Sequence, residues 1–313
     1  MKRAEMLETT ESILKRAGFQ VSERCVARPS CFDFAARREK NLAFVKVLND
    51  VGSISIKDAS ELQNISGCFS ATPFFVSGRN RRKPLEDDTV YIRYNLCTIT
   101  CKTLEDMIFR EMYPLVVAGP GGYYVNLDRN IIRERRQRLG LSVGKLGEMI
   151  GISRRTLYGY EKGMAKASVS VAYNLEWVLG IPVVQPVNVF QRNLGGTGLF
   201  ATARRMVIKN RFLQAVLGRF AHFNFRVAPI GKAPFDFIAQ LPGGQLNIVG
   251  GVADKRGRNV DQRAREIMSV SGVADARPVF ITDGEQVPNN DIPLIHCDEL
   301  DKMKCSEELI ARL

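Results

Sequence analysis

The sequence predicts a mixed architecture, with two related α/β modules at the ends and a small all-α domain between them. Two observations carry this reading. Five segments near the N-terminus recur in the same order near the C-terminus. Between them, residues 129–182 read as short amphipathic helices separated by Gly and Ser punctuation. A chain of 313 residues is longer than one small domain needs and leaves room for such parts.

The first module opens with a helix over residues 5–17, where apolar residues fall at helical spacing. Its counterpart is expected over residues 204–220. Phe32-Asp33-Phe34-Ala35 then reads as a strand and recurs as Phe235-Asp236-Phe237-Ile238, each with one Asp in an apolar run. Leu42-Ala43-Phe44-Val45-Lys46-Val47 pairs with Leu246-Asn247-Ile248-Val249-Gly250-Gly251. Residues 59–66 match 264–271, residues 73–77 match 278–282, and residues 99–107 match 295–303. Each copy therefore reads helix, strands, helix, strand, strand, helix. Cys97 and Cys101 lie in an alternating segment and are expected on one strand face.

Two connectors follow from turn chemistry. Residues 112–127 hold two β-rich runs around Gly119-Pro120-Gly121-Gly122, a hairpin signal. The hairpin is expected to pack on the central helices or to pair with another subunit. Gly195-Gly196-Thr197-Gly198 lacks the Lys-Ser/Thr ending and the strand–loop–helix spacing of a phosphate loop, so it reads as linker.

The central domain is the most explicit. One helix ends at Gly151, which supplies a left-handed terminus. Ile152 follows as an apolar plug, and Ser153 caps the next helix. Flanking helices are expected over residues 129–139 and 168–179, the latter closed by Gly180 and Pro182. Gly147 sits where the two motif helices must approach closely. Trp177 falls on an apolar spacing and is expected in the core. Tyr160 and Glu161 are expected to hold the second helix in place.

These residues resemble the phage-repressor (Cro/C1) class of helix-turn-helix domains. The resemblance rests on Leu141-Ser142, Leu146, Gly151-Ile152-Ser153, and the helix Arg154 to Glu161 ending in Lys162-Gly163. It implies that residues 153–162 form a recognition helix. Arg154, Arg155, Thr156 and Tyr158 would then reach bases or the adjacent backbone, with Ser153 at the helix start. Arg133, Arg136, Lys145, Lys162 and Lys166 are expected to meet phosphates. Val143 departs from the class, which often carries Gln there to brace a phosphate contact.

The outer copies resemble the restriction-endonuclease-like fold, also used by Holliday junction resolvases. Active members pair an Asp with a Glu-x-Lys or Asp-x-Lys on the next strand to hold a divalent metal. Asp33 and Lys46 fit, but Phe44 stands at the second acid. The C-terminal copy keeps Asp236, with Ile248 and Gly250 at the paired positions. The fold class is thus two degenerate restriction-endonuclease-like α/β modules flanking a helical helix-turn-helix domain. Neither copy is expected to hold metal, and Asp33 and Asp236 are expected to brace backbone N–H groups instead. The expected boundaries are 1–110, 111–127, 128–183, 184–203 and 204–313. As a whole the arrangement resembles a family of archaeal helix-turn-helix transcriptional regulators.

Composition agrees. Net charge is +12 with a pI near 9.5, which favours a polyanionic partner. The seven cysteines show no C-x-x-C pair and only two histidines accompany them, so reduced, mostly buried thiols are expected rather than a zinc site. No apolar run reaches bilayer length and no apolar signal region follows Met1-Lys2-Arg3, so a cytoplasmic protein without a membrane partner is expected. The leading expectation is a non-catalytic, sequence-specific regulator that binds double-stranded DNA as a homodimer, with no cofactor. Two alternatives stay open: a metal-dependent nuclease or resolvase-like enzyme guided by the central domain, and a structural nucleic-acid-binding protein without sequence preference.

Overall fold

The computed structural model describes residues 2–81, 83–191, 210–243, 246–253, 259–284 and 292–313. In chain order, the N-terminal part contains α1 (Arg3–Arg16), β1 (Gln20–Val21), β2 (Phe34–Arg38), β3 (Asn41–Leu48), α2 (Ile56–Cys68) and β4 (Thr72–Ser77). The middle contains β5 (Arg79–Asn80), β6 (Lys83–Pro84), β7 (Thr89–Arg93), β8 (Leu96–Ile99), α3 (Cys101–Phe109), β9 (Val116–Gly119) and β10 (Gly122–Leu127). It continues with α4 (Arg129–Arg138), α5 (Val143–Ile150), α6 (Arg154–Glu161), β11 (Ala167–Ser168), α7 (Val169–Leu179) and β12 (Val184–Gln185). The C-terminal part contains α8 (Arg211–His222), β13 (Arg226–Pro229), β14 (Phe237–Gln240), β15 (Asn247–Ala253), α9 (Val260–Ala274), β16 (Arg277–Thr282), β17 (Leu294–His296), α10 (Cys297–Lys302) and α11 (Ser306–Ile310). The expected linker glycines 195–198 and residues 204–209 of the expected second leading helix lie outside the described residues.

The chain groups into two compact units. One joins Met1–Leu48, Ser53–Val76 and Phe190–Leu313, and the other joins Asn49–Gly52 and Ser77–Val189. The two terminal copies share the first unit because they contact each other.

In the first unit, α1 buries Met6, Leu7, Thr10, Ile13 and Leu14, the one-sided spacing of a helix that covers a sheet. Strands run in the order β1-β2-β3-β4, and the C-terminal copy repeats this as β13-β14-β15-β16, followed by β17. The pairs β1–β2 and β2–β3 are antiparallel, as are β13–β14 and β14–β15. The central strands of both sheets are almost wholly buried, with Phe34, Phe44, Phe237 and Phe280 fully enclosed.

Hydrogen bonds set the register between copies. Asp33 N–H donates to Val45 O at 2.7 Å, and Asp236 N–H donates to Gly250 O at 2.8 Å. Val45 therefore matches Gly250, one position away from the pairing expected from sequence. The counterparts of Phe44 and Lys46 are Val249 and Gly251, not Ile248 and Gly250. A side chain at Gly251 would meet the Phe280 ring at 2.6 Å and Ile267 at 2.7 Å, so core packing has closed the lysine position.

The two copies clasp each other reciprocally. Glu61 on α2 accepts the N–H groups of Gly231 at 2.5 Å and Lys232 at 2.8 Å. Glu266 on α9, its sequence counterpart, accepts those of Val26 at 2.9 Å and Ala27 at 2.8 Å. The residue before each amide pair, Ile230 or Cys25, donates to the carbonyl of its own copy's Asp236 or Asp33. Such exchange of like contacts is the pattern of an isologous interface, here made within one chain. These carboxylate-to-amide bonds join the two terminal segments within one unit.

In the second unit, strands run β8-β7-β9-β10-β11, with β12 also on β10. Gly122 pairs with Gly119 across Pro120-Gly121. Pro120 followed by Gly121 at φ +91° fits a type II turn. Of the two expectations for this hairpin, packing on the helices is realised. Val125 of β10 lies in one core with Ile132, Leu146, Leu157, Leu175 and Val183. Both β11 and β12, on either side of α7, hydrogen-bond to β10. Cys97 and Cys101 do not share a strand: Cys97 is on β8, while Thr100 caps α3 and Cys101 begins it.

Candidate nucleic-acid interface

Local chemistry builds the α5–α6 helix pair of the second unit. Ser142 accepts the Lys145 N–H at 3.0 Å and starts α5. Gly151 stops that helix at φ +79°. Ser153 accepts the Thr156 N–H at 3.1 Å and starts α6. A Cβ on Gly147 would lie 2.9 Å from the Ile152 carbonyl oxygen, so the tight crossing requires a very small residue.

The faces of α6 divide cleanly. Leu157 and Tyr160 are buried, at 0% and 7% exposure. Ser153, Arg154, Arg155, Thr156, Tyr158 and Lys162 are all exposed. Arg155, Tyr158 and Lys162 follow helical spacing along one stripe, and the Lys162 ammonium lies 5.5 Å from the Tyr158 ring centre. Ser153 and Thr156 also share a hydroxyl hydrogen bond of 2.8 Å. Arg133, Lys145 and Lys166 are exposed too, although Lys145 pairs with Glu148 at 3.1 Å.

Arg136 departs from its expected role. It is 8% exposed and grips Glu161 through Nε at 2.6 Å and Nη2 at 3.0 Å. Its Nη1 donates to Leu141 O at 2.7 Å. A guanidinium so committed cannot also reach phosphate. It ties α4 to the end of α6 and makes Glu161 the anchor of the exposed stripe. The spacing to buried Ile132, four residues earlier, was the available sequence signal. Trp177 also departs: it is 78% exposed rather than in the core, stacked on Tyr173 with ring centres 6.5 Å apart.

The acidic positions of the first unit are neutralised by protein cations. Asp33 Oδ1 receives Arg3 at 2.6 Å and Lys46 at 3.0 Å, and its Oδ2 accepts the Val47 N–H at 2.7 Å. Asp236 repeats this with Arg28 at 2.6 Å, Arg263 at 2.5 Å and the Val252 N–H at 2.7 Å. The bracing role expected for both aspartates is therefore present. Arg3, Arg28 and Arg263 were not legible as their partners, because Arg28 lies 208 residues from Asp236 and no local pattern joins them. Phe44 is fully buried, so the second acid position belongs to the core.

The thiols do not form a centre. Cys25, Cys31 and Cys68 are buried, and burial pushes the Cys68 thiol up to about 12. Among the described residues, His296, Cys297 and Asp298 form the one group spaced for a metal, with ligand atoms within 4.8 Å. Sequence reading missed it, but His296 Nδ1 already accepts the Asp298 N–H at 3.2 Å as a helix cap. No helix is long and apolar enough to cross a membrane among the described residues.

Known proteins align with both parts. Residues 3–114 match the PD-(D/E)XK superfamily domain, and residues 132–185 match a helix-turn-helix family. A protein of Methanocella arvoryzae is 33% identical over 92% of this chain and 88% of its own length. One from Archaeoglobus fulgidus is 34% identical over 90% and 87%, and one from Halorubrum lacusprofundi 33% over 96% and 93%. Each carries the name "Putative HTH-type transcriptional regulatory protein". No solved structure matches the chain.

Proposed function

The chain belongs to the archaeal family of HTH-type transcriptional regulatory proteins, and we propose that it is a sequence-specific, non-catalytic regulator of double-stranded DNA. The observation that carries this is the exposed first turn and stripe of α6 on a helix locked from behind. Arg154, Arg155, Thr156 and Tyr158 would enter the major groove, where an Arg fork on guanine discriminates by about 1–3 kcal/mol. Ser153 would set the helix start against a phosphate. Arg133, Lys145, Lys162 and Lys166 would position the domain on the backbone.

We also read the C-terminal part as a second, degenerate endonuclease-like module. The matched strand order, Asp bracing and Glu clasps support that reading. Against catalysis stand the buried Phe44 and the ion-paired Asp33, which leave too few free oxygens for a divalent ion. Homodimerisation remains part of the proposal, because two half-sites call for two recognition helices. The contacts between terminal copies are spent within one chain. The exposed Tyr173–Trp177 face of α7 offers other apolar surface for a second copy.

The test is selection of bound duplexes from a random pool by the full chain. An enriched motif spanning two half-sites supports the proposal. Equal recovery of all sequences favours the structural-protein alternative.

A further inference from the structure

The pocket inherited from the endonuclease-like fold is not filled in. A cavity of about 480 Å³ lies in the first unit, beside Asp33 and Lys46. This volume falls in the range of about 300–1,000 Å³ common for small-molecule sites. Among the described residues, four cationic side chains, Arg3, Arg24, Arg28 and Lys46, line it with the carboxylate of Asp33, while Glu11 and Asp236 pair with Arg24 and Arg28 from outside the lining. A metal-dependent site would show the opposite balance, with oxygens converging on an ion.

Arg28 commits all three guanidinium nitrogens, to Ala233 O, Asp236 and Phe235 O, whereas the other three cations are held but not exhausted. Arg3 hydrogen-bonds through Nε to Val47 O and through Nη2 to Asp33. Arg24 uses Nε and Nη2 on Glu11. Among the described residues, the Nη1 groups of both remain for an incoming acceptor, and these side chains are 43% and 37% exposed. Lys46 donates to Ser30 O and Asp33, which leaves one of its three protons. Spare N–H donors on three cationic groups around one cavity suit the three terminal oxygens of a phosphate monoester better than a single carboxylate. Leu7, Val26 and Pro29 add apolar wall for the rest of such a molecule.

We infer that this cavity binds a small phosphate-bearing ligand, in the place where the fold would otherwise hold a catalytic metal. The site has a built-in link to the rest of the unit. Val26, Ala27 and Arg28 line the cavity and also hold the C-terminal copy, through Glu266 and Asp236. A ligand that orders this loop therefore tightens the clasp between copies.

The experiment uses the full chain without DNA, so it is independent of the proposed operator recognition. Thermal melting is followed with inorganic phosphate and, separately, with adenosine 5′-monophosphate, against sodium chloride at equal ionic strength. The expected result is a Tm rise of about 2–4 °C once probe exceeds its Kd several-fold. Arg24→Gln, and independently Arg3→Gln, should abolish the rise; after Arg3→Gln, Lys46 and the Val47 N–H still hold Asp33. Arg154→Gln on the recognition helix should retain it. Amide exchange at Val26 and Ala27 should slow when probe is present. A larger rise with the nucleotide identifies an ester as ligand, and an equal rise identifies free phosphate. No rise with either probe, or a rise that survives both pocket substitutions, overturns the inference.

Discussion

Removing Glu161 should loosen α6 without removing any of its exposed side chains. The Arg136 and Glu161 side chains are only 10% and 7% exposed, and they share two hydrogen bonds of 2.6 and 3.0 Å. Glu161→Ala would leave a buried guanidinium with one remaining partner, the Leu141 carbonyl. Breaking one side of such a pair costs about 3–5 kcal/mol, a large part of a typical stability of about 5–15 kcal/mol. The assay is urea unfolding followed by far-ultraviolet circular dichroism. Fluorescence is a poor reporter, because the single tryptophan, Trp177, is already 78% exposed. The double change Arg136→Met with Glu161→Leu removes both charges and should recover most of the loss. It should also keep the wild-type salt dependence of DNA binding, whereas losing a true phosphate contact lowers that slope by about 1. A loss below about 1 kcal/mol in Glu161→Ala, or a shallower salt slope in the double variant, would refute the anchoring role.

Three further outcomes are expected. Glu266→Ala orphans the Val26 and Ala27 amides and should cost about 1–3 kcal/mol in urea unfolding; an unchanged midpoint would remove the clasp from the account. Purified protein with millimolar magnesium or manganese should leave plasmid and branched DNA intact; cleavage that disappears in Asp33→Ala would establish the nuclease alternative. Sedimentation on a duplex carrying both half-sites should give two chains per DNA, and a strict one-to-one complex would contradict the dimer.

The helix-turn-helix was legible because its determinants are local. Gly151 and Ser153 act within three residues of themselves, and the structure puts both at the predicted helix ends. The order of strands and helices in the outer copies was legible from apolar runs for the same reason. Their register was not. Only the Asp33–Val45 and Asp236–Gly250 backbone bonds distinguish alignments that differ by one residue in an apolar strand. Trp177 shows another boundary: spacing assigns a helix face but does not say whether a neighbour covers it. Arg136 sits in an Arg-rich helix, where composition suggested phosphate and burial decided otherwise. The Glu61 and Glu266 clasps span 170 and 240 residues, beyond any local signal.

The central claim is that α6 reads base sequence. Its most direct measurement compares affinity for the selected duplex and for random duplex at one fixed salt concentration, in wild type, Arg154→Ala and Arg155→Ala. The account predicts that at least one substitution lowers the preference for the selected duplex by about tenfold or more, equivalent to about 1.4 kcal/mol and within the range of a lost base contact. Binding to random duplex should fall far less. Equal losses on both duplexes, or an unchanged preference in both variants, would contradict the claim that this helix carries specificity.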